Sequence, residues 1–189
     1  MPFPIEREDQ IEALSSPVRQ EIVDLVQASG TCSIAEMATW LGRPADSLYY
    51  HVRLLEKVGL LVPKGTRPAG PRQEALYDVP GRPLALRPTE PEQIDRALSA
   101  ALRVTQRDVR AAVHEGRAVL RGRHRNMTGG RIKGWLTRQE LDEVQAHLTR
   151  ILEIFEASGE EPKGRLTALT YALVPLKARS RGRNPRGED

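Results

Sequence analysis

Residues 13–62 read ALSSPVRQEIVDLVQASGTCSIAEMATWLGRPADSLYYHVRLLEKVGLLV, and the caps and apolar spacing of this run decide the fold. Ser16 before Pro17 places a side-chain oxygen at an N-cap and a residue without an N–H where a helix has no use for one. A helix is therefore expected from Pro17. Val18, Ile22, Leu25 and Val26 recur on one face, and Gly30 supplies the left-handed stop. Ser33 and Glu36 have the spacing of a capping box, each side chain meeting an orphan N–H near the other. The helix that follows has Ile34, Met37, Ala38 and Leu41 as its apolar face. Gly42 then permits a sharp turn. Pro44 is expected to open a third helix, which carries Leu48, Val52 and Leu55 inward and ends at Gly59. This is the layout of a helix-turn-helix.

That phase decides what remains outside. With Leu48, Val52 and Leu55 inward, Asp46, Tyr49, Tyr50 and Arg53 turn outward. They make a mixed donor, acceptor and aromatic face suited to base edges in a major groove. Arg43 and Ser47 at the entry to the helix, and His51 beside it, complete this set of candidate contacts. A competing reading has one tyrosine closing the core beside Leu48 and the other exposed by chance. His51 reads as a packing or phosphate-contacting residue, since no partner of matching chemistry stands near it in sequence.

After Gly59 the period changes. Residues 60–62 (LLV) suggest a short strand, 64–72 (KGTRPAGPR) are rich in Gly, Pro and positive charge, and 74–79 (EALYDV) read as a returning strand. The expectation is a hairpin with a basic tip, a wing. From it Lys64, Arg67 and Arg72 would reach phosphates or the adjacent minor groove, where cations gain from counterion release. A basic surface loop is the alternative.

Three motifs now carry a likeness. Residues 13–19 (ALSSPVR), 47–52 (SLYYHV) and 54–61 (LLEKVGLL) resemble, in order and spacing, the signatures of ArsR-like winged-helix transcriptional regulators. The resemblance covers residues 1–80. It implies a winged helix, a DNA-reading role for the helix from Pro44, a homodimer, and a repressor whose operator affinity a signal changes. Metal-sensing members of that family carry a Cys-x-Cys pair at the start of the preceding helix. Aligned on His51, that pair falls on Ser33 and Ala35 here, with Cys32 just outside it. One cysteine builds neither a thiolate-rich metal site nor an intrachain disulfide, so no cofactor is expected. Other members bind metal at a dimer interface through His and carboxylates. His114 and His147 are thus conceivable ligands, against the simpler reading of solvated histidines.

Composition agrees with this picture. A chain of 189 residues with 39% hydrophobic residues has room for one domain and an elaboration, or for two small domains. A net charge of +4 and a sequence pI of about 9.5 favour a polyanionic partner. Basic groups gather in the wing and in 177–186, whereas 140–161 are comparatively acidic. Residues 1–10 have no apolar leader core, and no stretch approaches the roughly twenty apolar residues of a membrane span. The expectation is a cytoplasmic protein without membrane contact, with Cys32 fitting a reducing compartment.

Residues 81–91 (GRPLALRPTEP) read as a proline-rich linker. Thr89 then caps a long helix with Pro91 in its first turn, apolar along Ile94, Ala97, Leu98, Ala101, Leu102, Val104, Val109 and Val113, and ending near Gly116. Residues 117–130 (RAVLRGRHRNMTGG) suggest a frayed end and a mobile basic loop, either solvated or touching DNA. Residues 131–136 are expected as a strand carrying Trp135. Thr137 and Glu140 start another helix, with Leu141, Val144, Leu148, Ile151, Leu152 and Phe155 on one face. Residues 166–176 (LTALTYALVPL) are β-prone and pair with 131–136 in this reading. A pocket between Trp135, Tyr171 and the long helices would suit a small organic effector, although both side chains also read as ordinary sheet or interface residues.

The fold class expected is mostly α with small β elements (α+β). The organisation is a winged helix-turn-helix DNA-binding domain over 1–80, a linker over 81–91, a helical dimerisation and effector region with a strand pair over 92–176, and a disordered basic tail over 177–189. The function expected is a homodimeric, sequence-specific regulator of double-stranded DNA, a repressor by resemblance. The alternative is an architectural or protein-interaction module without sequence preference. No phosphate-cradling Gly-rich loop, nucleophile–base arrangement or metal-ligand cluster is legible, so no enzyme is expected.

Overall fold

The computed structural model describes residues 3–87, 90–157 and 164–177. The chain begins with a short strand, β1 (Phe3–Ile5), and a helix, α1 (Glu8–Leu14). Helix α2 (Pro17–Ser29) follows, with Ser16 at its N-cap, Pro17 at its first position and Gly30 at its end with φ 77°. The Ser16 hydroxyl makes no capping bond, so the local signal here is the proline. The Ser33–Glu36 box forms in full: the Ser33 N–H donates to the Glu36 carboxylate at 2.9 Å, and the Glu36 N–H donates to Ser33 Oγ at 3.3 Å. It starts α3 (Ile34–Leu41), which Gly42 ends in the left-handed region at φ 61°. Helix α4 (Ala45–Lys57) begins one residue later than expected. Pro44 stays extended at ψ 135° and serves as the N-cap.

The wing is longer and more regular than its composition suggests. Strands β3 (Val62–Ala69) and β4 (Arg72–Asp78) pair antiparallel, so most of the expected loop 64–72 is ladder and only Gly70 and Pro71 make the turn. A register irregularity between Pro63 and Thr66 takes in Gly65, at φ 94°. That is how a stretch rich in Gly and Pro remains in a sheet, since a bulge absorbs the residues a regular ladder rejects. A two-residue strand, β2 (Cys32–Ser33), pairs with β4 on the other side, giving the order β2-β4-β3. It is too short to show any period in sequence.

These elements close one core. Ile11, Ile22, Met37, Leu48, Leu55, Leu60 and Leu61 are fully buried. Each contributes about 1.5–3 kcal/mol by leaving water. The segment expected as a linker is tied to this domain. Strand β5 (Leu84–Leu86) pairs parallel with β1, and the Arg82 guanidinium donates to the Val26 and Gln27 carbonyls at 3.1 and 3.0 Å. The final carbonyls of a helix lack intrahelical donors; the Gly30 N–H reaches that of Val26, and Arg82 supplies a donor to that of Gln27 and a second one to Val26.

Helix α5 (Pro91–His114) lies on α1 and α2, burying Ala97, Ala100 and Val104. Its N-cap is Glu90; Thr89, the expected cap, lies outside the described residues. Helix α6 (Arg138–Glu156) starts at the expected Thr137–Glu140 box, yet no residue of it is buried. The strands expected at 131–136 and 166–176 do not form, and both segments lack regular secondary structure. A strand needs a ladder partner, and these two runs are not paired with each other or with another strand. The small β elements of this α+β fold are instead the winged sheet and the β1–β5 pair. The tail expected to be disordered lies, beyond Lys177, outside the described residues.

Candidate nucleic-acid interface

The exposed face of α4 is built by burial of its opposite side. Leu48, Val52 and Leu55 are 0% exposed, which fixes the rotation of the helix. Asp46, Ser47, Tyr49, Tyr50 and Arg53 are exposed as a result. Tyr49 is 48% and Tyr50 68% exposed, and the core beside Leu48 is complete without either ring. The Ser47 hydroxyl donates to the Pro44 carbonyl at 2.6 Å, closing the first turn while its lone pairs stay outward. Tyr50 packs edge-on against His51, with ring centroids 5.5 Å apart.

His51 is half-buried beside Arg19 and Arg43. Loss of water and these two cations hold its imidazole below the usual histidine range. Its Nδ1 is buried without a hydrogen-bond partner, which suits the neutral ring. Arg43, in the turn before α4, donates from Nη2 to Glu21 Oε2 at 3.0 Å. Glu21 is almost completely buried on α2 and also accepts both ends of the Arg107 guanidinium from α5. One carboxylate thus ties the entry of α4 to α5.

The wing cations differ among themselves. Lys64 and Arg72 are exposed. Arg67 is held by Glu74 across the hairpin and by Glu36 at 2.9 Å, so its charge is already matched within the chain. Against burial, the Ser33 N–H and Arg67 keep the Glu36 carboxyl below its ordinary range. The sequence reading gave Arg67 a phosphate; in the folded chain it fastens the wing to α3. Its partner was in plain view at the register position Arg67↔Glu74, but only the ladder reveals that pairing.

Glu21 and Arg107 were missed altogether. The signal was a glutamate between Val18 and Leu25 on the apolar face of α2, three and four residues from each, where a carboxylate requires a cation. Cys32 is buried, and burial followed by Glu36 and Asp78 pushes its thiol up to about 12, leaving it neutral. Among the described residues no three His, Cys, Asp or Glu side chains gather to hold a metal ion. His114 stands in the last turn of α5, and His147 lies 3.8 Å from Glu143 on the exposed surface of α6. Trp135 and Tyr171 are 90% and 46% exposed. Among the described residues no helix is long and apolar enough to cross a membrane.

Fold and exposed face define a winged helix-turn-helix protein, a class built to bind double-stranded DNA and regulate transcription. In agreement, residues 14–63 match the family model of a helix-turn-helix domain. None of the curated proteins matches the chain. Among solved structures, a mutant of Lactococcus lactis ZitR in apo form is similar at 13% identity. That match covers 73% of this chain and 82% of the other, with a TM-score of 0.28.

Proposed function

We propose that this protein is a sequence-specific, homodimeric transcriptional regulator of the ArsR-like kind, a repressor whose operator affinity responds to a small ligand acting on the C-terminal region. The observation that carries the reading is the face of α4. Asp46, Tyr49, Tyr50 and Arg53 project from a helix whose other side is locked in the core, and none of the described residues covers them. Arg53 and Asp46 supply a donor and an acceptor for base edges, and the tyrosines supply apolar contact and hydroxyls. Lys64 and Arg72, exposed on the wing, take phosphates, as Ser47 and His51 do at the helix itself, and so does Arg43, which shares its one carboxylate with Arg107 and keeps charge uncompensated, unlike Arg67 with its two.

Two copies place two such helices in successive major grooves when they sit about 34 Å apart. The Glu21 network then links effector to operator. Arg43 and Arg107 share Glu21, so a shift of α5 that draws Arg107 away alters the charge balance at the entry of α4. Selection of bound duplexes from a random pool tests the reading. A two-fold symmetric site with half-sites about one helical turn apart supports it. Recovery of the pool without enrichment overturns sequence-specific recognition and leaves the architectural module.

A further inference from the structure

Most of the large apolar side chains left exposed among the described residues lie between Val119 and Leu176. On α6, Leu141, Val144, Leu148, Ile151 and Leu152 form a stripe, none of it buried, and the helix has no extensive packing partner. Ile132 and Trp135 in the preceding segment are 94% and 90% exposed, and Leu166, Leu169 and Leu173 in the last one are about half exposed or more. Taken together, these exposed side chains offer apolar surface on the scale of the roughly 800 Å² per partner that a specific interface buries. Large exposed apolar patches mark interaction sites.

Charge selects the occupant. Helix α6 carries five acidic side chains against two arginines, whereas 117–133 hold six cations and no acid. Of those cations, Arg121, Arg123, Arg131 and Lys133 have no carboxylate partner among the described residues. A two-fold axis brings each α6, whose Asp142, Glu143 and Glu153 pair only with exposed neighbours on the same helix, to the other copy's basic segment, where those cations lack carboxylates. The backbones of 131–136 and 166–176, unpaired here, gain a ladder partner in the same step. Helix α5 also leaves Ile94, Leu102, Val109 and Val113 exposed, but it already buries Ala97, Ala100 and Val104 against α1 and α2 of the same chain, whereas no residue of α6 is buried.

We infer that residues 117–157 and 164–177 close on the same residues of a second copy, α6 laying its apolar stripe across the two-fold axis and its acidic edge against the partner's 117–133. The inference rests on the homodimer proposed above and names its interface. Sedimentation of the full chain tests it in three forms. The unaltered protein sediments as a dimer at micromolar concentration. Leu148→Glu with Ile151→Glu weakens dimerisation by about a hundredfold or more, while the helical circular dichroism of the winged domain persists. Reversing charge on α6 (Glu143→Arg, Glu156→Arg) or on the basic segment (Arg121→Glu, Arg123→Glu) weakens it by about tenfold each, and the two sets together restore it.

A monomeric unaltered protein, or both apolar and charge variants dimerising as the parent does, overturns the interface. So do charge reversals in 121–123 that lower only DNA affinity, since that basic segment would then face the duplex. A dimer that dissociates as described yet selects no duplex leaves the interface standing and defeats the DNA reading instead.

Discussion

Leu48 and Leu148 stand at comparable places, each in the middle of an apolar stripe on a capped amphipathic helix, yet one is fully buried and the other is partly exposed. The difference lies in what surrounds them. Around Leu48, short helices and a sheet pack together because links of two to four residues hold them close. Among the described residues α6 has no extensively packed helix beside it, and the segments on either side of it in sequence lack regular structure. The same local pattern therefore builds a self-sufficient domain in one half and an incomplete surface in the other. Periodicity says that a helix has an apolar face; it does not say whose atoms will cover it.

The sharpest way to break this comparison is to truncate the two leucines. Leu48→Ala removes side-chain volume from a closed core and should cost about 2–5 kcal/mol in urea unfolding. Leu148→Ala should leave the unfolding of the winged domain within about 0.5 kcal/mol, with its effect confined to self-association. Equal losses in the two variants would mean that the C-terminal half belongs to the same cooperative unit.

A smaller effect is expected at the junction between the halves. Glu21→Gln keeps the shape but removes the charge that Arg43 and Arg107 share, and should destabilise the protein by about 1–3 kcal/mol. It should also change duplex affinity, whereas a purely local clamp would change stability alone. Smaller still is the contrast within the wing. Lys64→Ala should weaken all duplexes alike and make the salt dependence shallower by about one phosphate contact. Arg67→Ala should speed amide exchange in β3 and β4 with little change of salt slope, since that guanidinium is occupied by Glu36 and Glu74.

Most of the winged domain was legible because its signals are local. The Ser33–Glu36 box, the glycines at 30 and 42, and the 48-52-55 spacing each act within one or two turns, and each appears in the structure where the sequence places it. What escaped was long-range. The β1–β5 pair joins residues far apart in the chain, and β2 owes its existence to β4. The Arg67 clamp depends on strand register, and Glu21 meets Arg107 only when α5 returns across α2. The two expected C-terminal strands had the right composition but no ladder partner among the described residues. The outward residues of α4 were readable by subtraction: once three aliphatics claim the core, the others have nowhere else to point.

The central claim is that Arg53 and its neighbours on α4 distinguish one duplex from another. Competition at fixed salt between a selected duplex and a scrambled one, for the unaltered chain and for Arg53→Ala, tests it most directly. The unaltered chain should prefer its selected site by about a thousandfold or more, and Arg53→Ala should lose about ten- to a hundredfold of that preference. A ratio near one for the unaltered chain, or a preference untouched by Arg53→Ala, would contradict the account.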